Sequence, residues 1–176
     1  MSQFQLLQQF IQELIETPYL WWREGDVVSS APPFYAENNP IIPTNIKNSG
    51  CNCAGFLNLI CRFNKTKIPG VEEKLLMAGG TYIWFSYLNE RNLLEPFNPS
   101  IKYPDGTIVL RDYVDPEDQG HIALIIDNGK LAHCDIANGI HIDESVLISH
   151  NWINDGYYTH VCLPNSFLLN KTFSMN

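Results

Sequence analysis

His121-Ile122-Ala123-Leu124-Ile125-Ile126-Asp127-Asn128-Gly129-Lys130-Leu131-Ala132-His133-Cys134-Asp135 holds two apolar runs around a polar triplet. Asp, Asn and Gly tolerate the positive φ that a tight hairpin turn demands, and β-branched residues favour the strand before it. Strands are therefore expected over 121–127 and 130–135. A turn at 128 and 129 pairs residues whose numbers sum to about 257, setting His121 near 136 and His133 near 124. The two histidines are 12 positions apart, and this even spacing predicts one shared sheet face.

Downstream and just upstream, the runs 107–112, 139–143 and 157–163 are β-branched or aromatic and bounded by turn residues, so they too read as strands. Earlier in the chain the period changes. Phe4, Leu6, Leu7, Phe10, Ile11, Leu14 and Ile15 recur at three- and four-residue steps, which predicts a helix over 2–16, capped by Ser2 and stopped by Pro18. A second helix is expected over 54–63 with Phe56, Leu57, Ile60 and Cys61 inward. A third is expected over 71–92, broken at Gly79-Gly80, with Thr81 capping its later part. Helices followed by an antiparallel meander make an α+β fold, and no repeat or composition shift divides residues 1–176.

One segment resists assignment. From about 23 to 50 the chain carries Pro32, Pro33, Pro40 and Pro43 among Asn38, Asn39, Asn45 and Asn48. It reads as a long loop insertion, either solvated or shaping a substrate site.

The net charge is −8 with a pI near 5.0. Phosphate backbones and anionic lipids need clustered Lys and Arg, so neither nucleic acid nor a membrane surface is expected as partner. No basic n-region with an unbroken apolar stretch opens the chain, and no apolar run reaches bilayer length. A cytoplasmic site of synthesis is expected, with a virion or a host cell as destination if the source is viral. Five cysteines at irregular spacing leave at least one free thiol.

The thiol that suits chemistry is Cys53, at the junction of a Gly-containing loop and the helix over 54–63. Unpaired N–H groups and the partial positive charge of a helix start stabilise a thiolate and can receive an oxyanion. This predicts a lowered pKa at Cys53. His121 is the candidate base and His133 the group that orients it, a nucleophile–base–orienter set. Cys51 is the alternative nucleophile, lying further out in the loop. Cys61 and Cys162 sit in apolar runs as packing residues, and Cys134 is expected on the face opposite His133. A zinc site of Cys51, Cys53, His121 and His133 is disfavoured because structural sites space cysteines by two to four residues. No metal or cofactor is assigned.

These residues also resemble a known family. Asn-Cys-Ala-Gly-Phe at 52–56 is similar to the Asp-Cys-Ser-Gly-Phe nucleophile motif of NlpC-type cell-wall peptidases. Gly-His-Ile-Ala-Leu-Ile-Ile at 120–126 resembles their Gly-His-Val-Gly-Ile-Tyr base strand. Gly-Lys-Leu-Ala-His-Cys at 129–134 resembles the strand carrying their third catalytic residue. Pro-Tyr-Leu-Trp at 18–21 and Pro-Asp-Gly-Thr-Ile-Val at 104–109 resemble two further family segments. The matches keep the family's order over roughly 15–135.

The resemblance implies a papain-like α+β fold, with the nucleophile at a helix N-terminus packed on the sheet. It implies a catalytic set of Cys53, His121 and His133, with Tyr19 supporting the oxyanion and Trp21, Asn52 and Ala54 near the substrate. It further implies amide hydrolysis in peptidoglycan stem peptides or similar peptides. An acyltransferase, amidase or deamidase on the same scaffold, or an inactive binding module, are the alternatives. His150-Asn151-Trp152 offers Asn151 as a second candidate to orient His121. The family's Gly-Gly after the tryptophan is here Trp22-Arg23-Glu24-Gly25, and Asn52 and Ala54 replace its Asp and Ser.

Overall fold

The computed structural model describes residues 3–20, 41–69, 80–112, 114, 120–144 and 157–174. Ser2, Trp21, Asn151, residues 23–40 of the expected loop and residues 71–79 of the third expected helix lie outside them.

Four helices are present among the described residues: α1 (Gln3–Leu14), α2 (Pro43–Ser49), α3 (Cys53–Asn64) and α4 (Thr81–Glu90). They accompany β1 (Glu95–Pro96), β2 (Ile108–Arg111), β3 (His121–Ile126), β4 (Lys130–Asp135), β5 (Gly139–Asp143) and β6 (His160–Cys162). The six strands form one sheet in the order β1-β6-β2-β3-β4-β5, with every pairing antiparallel. The expected α+β class holds. The meander covers β2 to β5, whereas β6 returns to the far side of β2 instead of extending it.

The two sheet faces are sorted by alternation. Ile122, Leu124 and Ile126 of β3, with Ala132, Cys134 and Ile140, join Leu7, Ile11, Leu14, Phe56, Leu57, Ile60, Trp84 and Leu88 in the main core. Ala123, Ile125, Val109, Leu131 and Val161 point the other way, into a second cluster closed by Tyr103 and Tyr158. Each large apolar side chain buried this way contributes about 1.5–3 kcal/mol, so both faces stabilise the central strands. Helix α3 lies on β3 and β4, and Trp84 Nε1 of α4 donates to Asn58 Oδ1 of α3 at 2.9 Å. That buried bond fixes α4 beside α3.

Three expectations are corrected. Part of the 23–50 loop is helical, because Pro43 occupies the first turn of α2, where its missing N–H costs nothing. Thr81 does not cap α4; Gly80 is the N-cap, without a side-chain cap bond. The third concerns the β3–β4 hairpin, which pairs Leu124 with Ala132 and Ile126 with Lys130. All three residues Asp127, Asn128 and Gly129 lie in the loop, with φ of 45°, 63° and 113°. The expected turn at 128 and 129 pairs residues of opposite parity, whereas the observed register pairs residues of equal parity. The shared face expected for the two histidines holds.

Candidate active site

Cys53 opens α3. Asn52 is the N-cap, extended at φ −102°, and its Oδ1 accepts from the Gly55 N–H at 2.7 Å. The loop before it is strapped to the end of the α1 connection. Cys51 N–H donates to the Pro18 carbonyl at 3.1 Å and Leu20 N–H to the Cys51 carbonyl at 3.0 Å, so Tyr19 pairs alongside Cys51. Burial and the neighbouring thiols of Cys53, Cys134 and Cys51 push the Tyr19 phenol up, which keeps it a neutral hydroxyl beside the sulfur.

Two backbone features bring β3 and β5 to this place. Gly120 turns the chain into β3 at φ +73°, and a Cβ there would collide with the Arg111 carbonyl and with Asp112. Gly139 starts β5 at φ +67° in similarly close contact with the Thr17 carbonyl. Ile140 N–H donates to Thr17 O and Glu16 N–H to Ile140 O, both at 2.9 Å, which ties the end of the α1 segment to the sheet edge.

The β3–β4 ladder runs only to Leu124–Ala132, so His121 and Ile122 lie beyond its last pair. The Cys53 sulfur meets β3 there. The Ile122 and Ala54 N–H groups act on it, and Thr81 Oγ1, in the first turn of α4, lies 3.6 Å away. Two helix N-termini thus converge on one sulfur. Burial nevertheless dominates and raises the Cys53 pKa, with Thr81 and the two amides opposing it. The expected lowering by the helix start is therefore corrected: in the resting protein Cys53 is a thiol.

His121 is buried opposite Arg111. Burial, then His133, Arg111 and His141, hold it well below the usual histidine range. Its Nε2 lies 3.0 Å from His133 Nδ1, and His133 Nε2 lies 3.1 Å from Asp143 Oδ2. The carboxylate can only accept, so His133 Nε2 donates to it. When His133 carries only that proton, its Nδ1 accepts from His121 Nε2–H and the His121 lone pair falls on Nδ1. The His133 interaction holds Asp143 below the usual carboxylate range.

Of the other expected residues, Cys51 is fully buried, its sulfur 3.9 Å from Cys134, whose own Sγ faces the Cys51 carbonyl at 3.2 Å. It is turned into the core, as are Cys61 and Cys162. The Ala54 side chain lies in the main core, and the Asn52 side chain is engaged in capping. Sequence reasoning missed Thr81, Asp143 and His141. The signal for the last two was present: His133-Cys134-Asp135 and His141-Ile142-Asp143 repeat His-x-Asp on neighbouring strands. No protein-family model and no curated protein matches the chain.

Proposed function

We propose that this chain is a papain-like cysteine hydrolase of the NlpC type that cleaves amide bonds in peptides, peptidoglycan stems among them. The observation that carries the reading is the Cys53 thiol at a helix N-terminus against the start of β3, whose first residue begins the His121–His133–Asp143 chain. The motif resemblance supplies the substrate class.

With thiol and imidazole both neutral at rest, the proton moves during attack. His121 Nδ1 takes it from Cys53 as the sulfur bonds to the carbonyl carbon. The Cys53 N–H, aided by Tyr19, holds the oxyanion. His121 returns the proton to the leaving amine, and water hydrolyses the thioester. His133 and Asp143 keep the His121 lone pair on the reacting nitrogen.

Incubation with a panel of peptidoglycan fragments and peptides, read by mass spectrometry, tests this. The wild-type chain should cleave an amide, and Cys53→Ala and His121→Ala should lower kcat/KM by at least about a thousandfold while remaining folded. Undiminished cleavage by Cys53→Ala overturns it, as does a wild type that cleaves nothing and is not labelled at Cys53 by acyl-directed probes.

A further inference from the structure

The repeated His-x-Asp of β4 and β5 makes a second arrangement. His133 and His141 are directly paired across the hairpin, and strand alternation sends Asp135 and Asp143 to the same face. Four side chains of metal-ligating type therefore meet beside the site described above. His141 Nε2 lies 3.5 Å from Asp135 Oδ2 and 3.4 Å from Asp143 Oδ1, and His133 Nε2 lies 3.1 Å from Asp143 Oδ2. One ligand atom each from His133, Asp135 and His141 falls within 4.8 Å of the others.

We propose that His133, Asp135 and His141 form a three-ligand site for a divalent transition-metal ion, with zinc the best match, that controls the neighbouring His121. Zinc bonds to nitrogen and oxygen ligands are about 2.0–2.2 Å, so a tetrahedron built on them has edges of roughly 3.3 Å. The His141–Asp135 separation of 3.5 Å is close to that value, and the three ligand atoms all lie within 4.8 Å of one another. The ligands also have the supporting contacts that metal-binding side chains use. His141 Nδ1 lies 3.0 Å from the Gly139 carbonyl, which accepts only, so Nδ1 donates. The Nε2 of His141 therefore faces two carboxylates, a position that either a proton on that nitrogen or a metal ion bound to it satisfies. Asp135 Oδ1 is held by the Ala137 and Asn138 N–H groups at 2.9 and 2.7 Å, and Oδ2, which faces His141, accepts only a long bond of 3.5 Å from Asn138 Nδ2. His133 Nδ1 is held by His121. The side chains are 1–27% exposed, open enough for entry and dry enough to strengthen the bonds.

The regulatory half rests on the hydrolase reading. Metal on His133 Nε2 moves that ring's proton to Nδ1, which then donates to His121 Nε2. The His121 proton passes to its own Nδ1, and the lone pair needed to accept the Cys53 proton is lost. No proton leaves the pair, yet the base is silenced.

The binding half is tested without activity. Metal-stripped full-length chain is titrated with zinc against a chromophoric chelator, and with cobalt(II) by visible absorption. One equivalent should bind to wild type and to Cys53→Ala, with a tetrahedral cobalt spectrum lacking thiolate charge-transfer bands. Asp135→Asn, close in shape to the native residue, and His141→Ala should each weaken zinc by more than about tenfold. Thiolate bands, no binding, or affinity unchanged in Asp135→Asn overturn the site. If the site binds and a cleaved substrate is in hand, zinc should inhibit wild type and spare Asp135→Asn at the same concentration; equal inhibition of both overturns the regulatory half alone.

Discussion

At Cys53 burial and hydrogen bonding pull the same sulfur in opposite directions. Burial disfavours the thiolate, while the Ala54 and Ile122 amides and the Thr81 hydroxyl favour it. Burial prevails, so alkylation by iodoacetamide should rise with pH only in the alkaline range, above the behaviour of a free thiol. Thr81 is the member that can be removed without disturbing backbone. Thr81→Val keeps the shape and deletes the hydroxyl 3.6 Å from the sulfur. A hydrogen bond worth about 1 kcal/mol is roughly a fivefold change in equilibrium, so alkylation at a fixed mildly alkaline pH should slow about fivefold. An unchanged rate would remove Thr81 from the site. The sequence marked Cys53 because a Gly-containing loop before a helical run is a local signal. It gave no warning of Thr81, because contact between residues separated by 28 positions depends on how α4 docks on α3.

The sheet elements were legible to different depths. The runs 130–135 and 139–143 became strands with those bounds, since turn residues fence them on both sides. The expected 157–163 shrank to His160–Cys162, its ends being defined only by partners distant in sequence. Helix α2 was obscured by Pro43, read as a loop residue although a first helical turn accepts it. The hairpin register escaped because Asp127 joins Asn128 and Gly129 at positive φ, which makes the loop three residues long rather than two. At this scale Gly120 is the position to test. Gly120→Ala imposes a side chain at φ +73° against the Arg111 carbonyl, and forced positive φ alone costs on the order of 1–3 kcal/mol. Urea unfolding should show at least that loss. Since the entry to β3 carries His121, activity should fall further than the unfolded fraction explains; a neutral substitution would mean that the turn is not needed to place the histidine.

For the molecule as a whole, a buried neutral histidine links the site to folding. The His121 pKa lies well below its ordinary value of 6.5. The unfolded chain takes up a proton as pH falls below about 6.5, whereas the folded chain refuses it until its own lower pKa is reached. Protonation therefore favours unfolding across that window, and stability falls as pH drops through it. His160, also lowered by burial, acts with the same sign. Asp143 has the depressed pKa of a carboxylate bonded to His133; its contribution is present above its ordinary 3.8 and fades below. Acid should thus weaken the fold in two steps, the first set by histidines and the second by carboxylates. Urea midpoints measured between pH 7.5 and 5 should decline in wild type and decline less in His121→Gln, with His160 supplying the remainder. The same slope in both proteins would mean that His121 is solvated in solution, and with it the dry pairing to His133 on which the base depends would be lost.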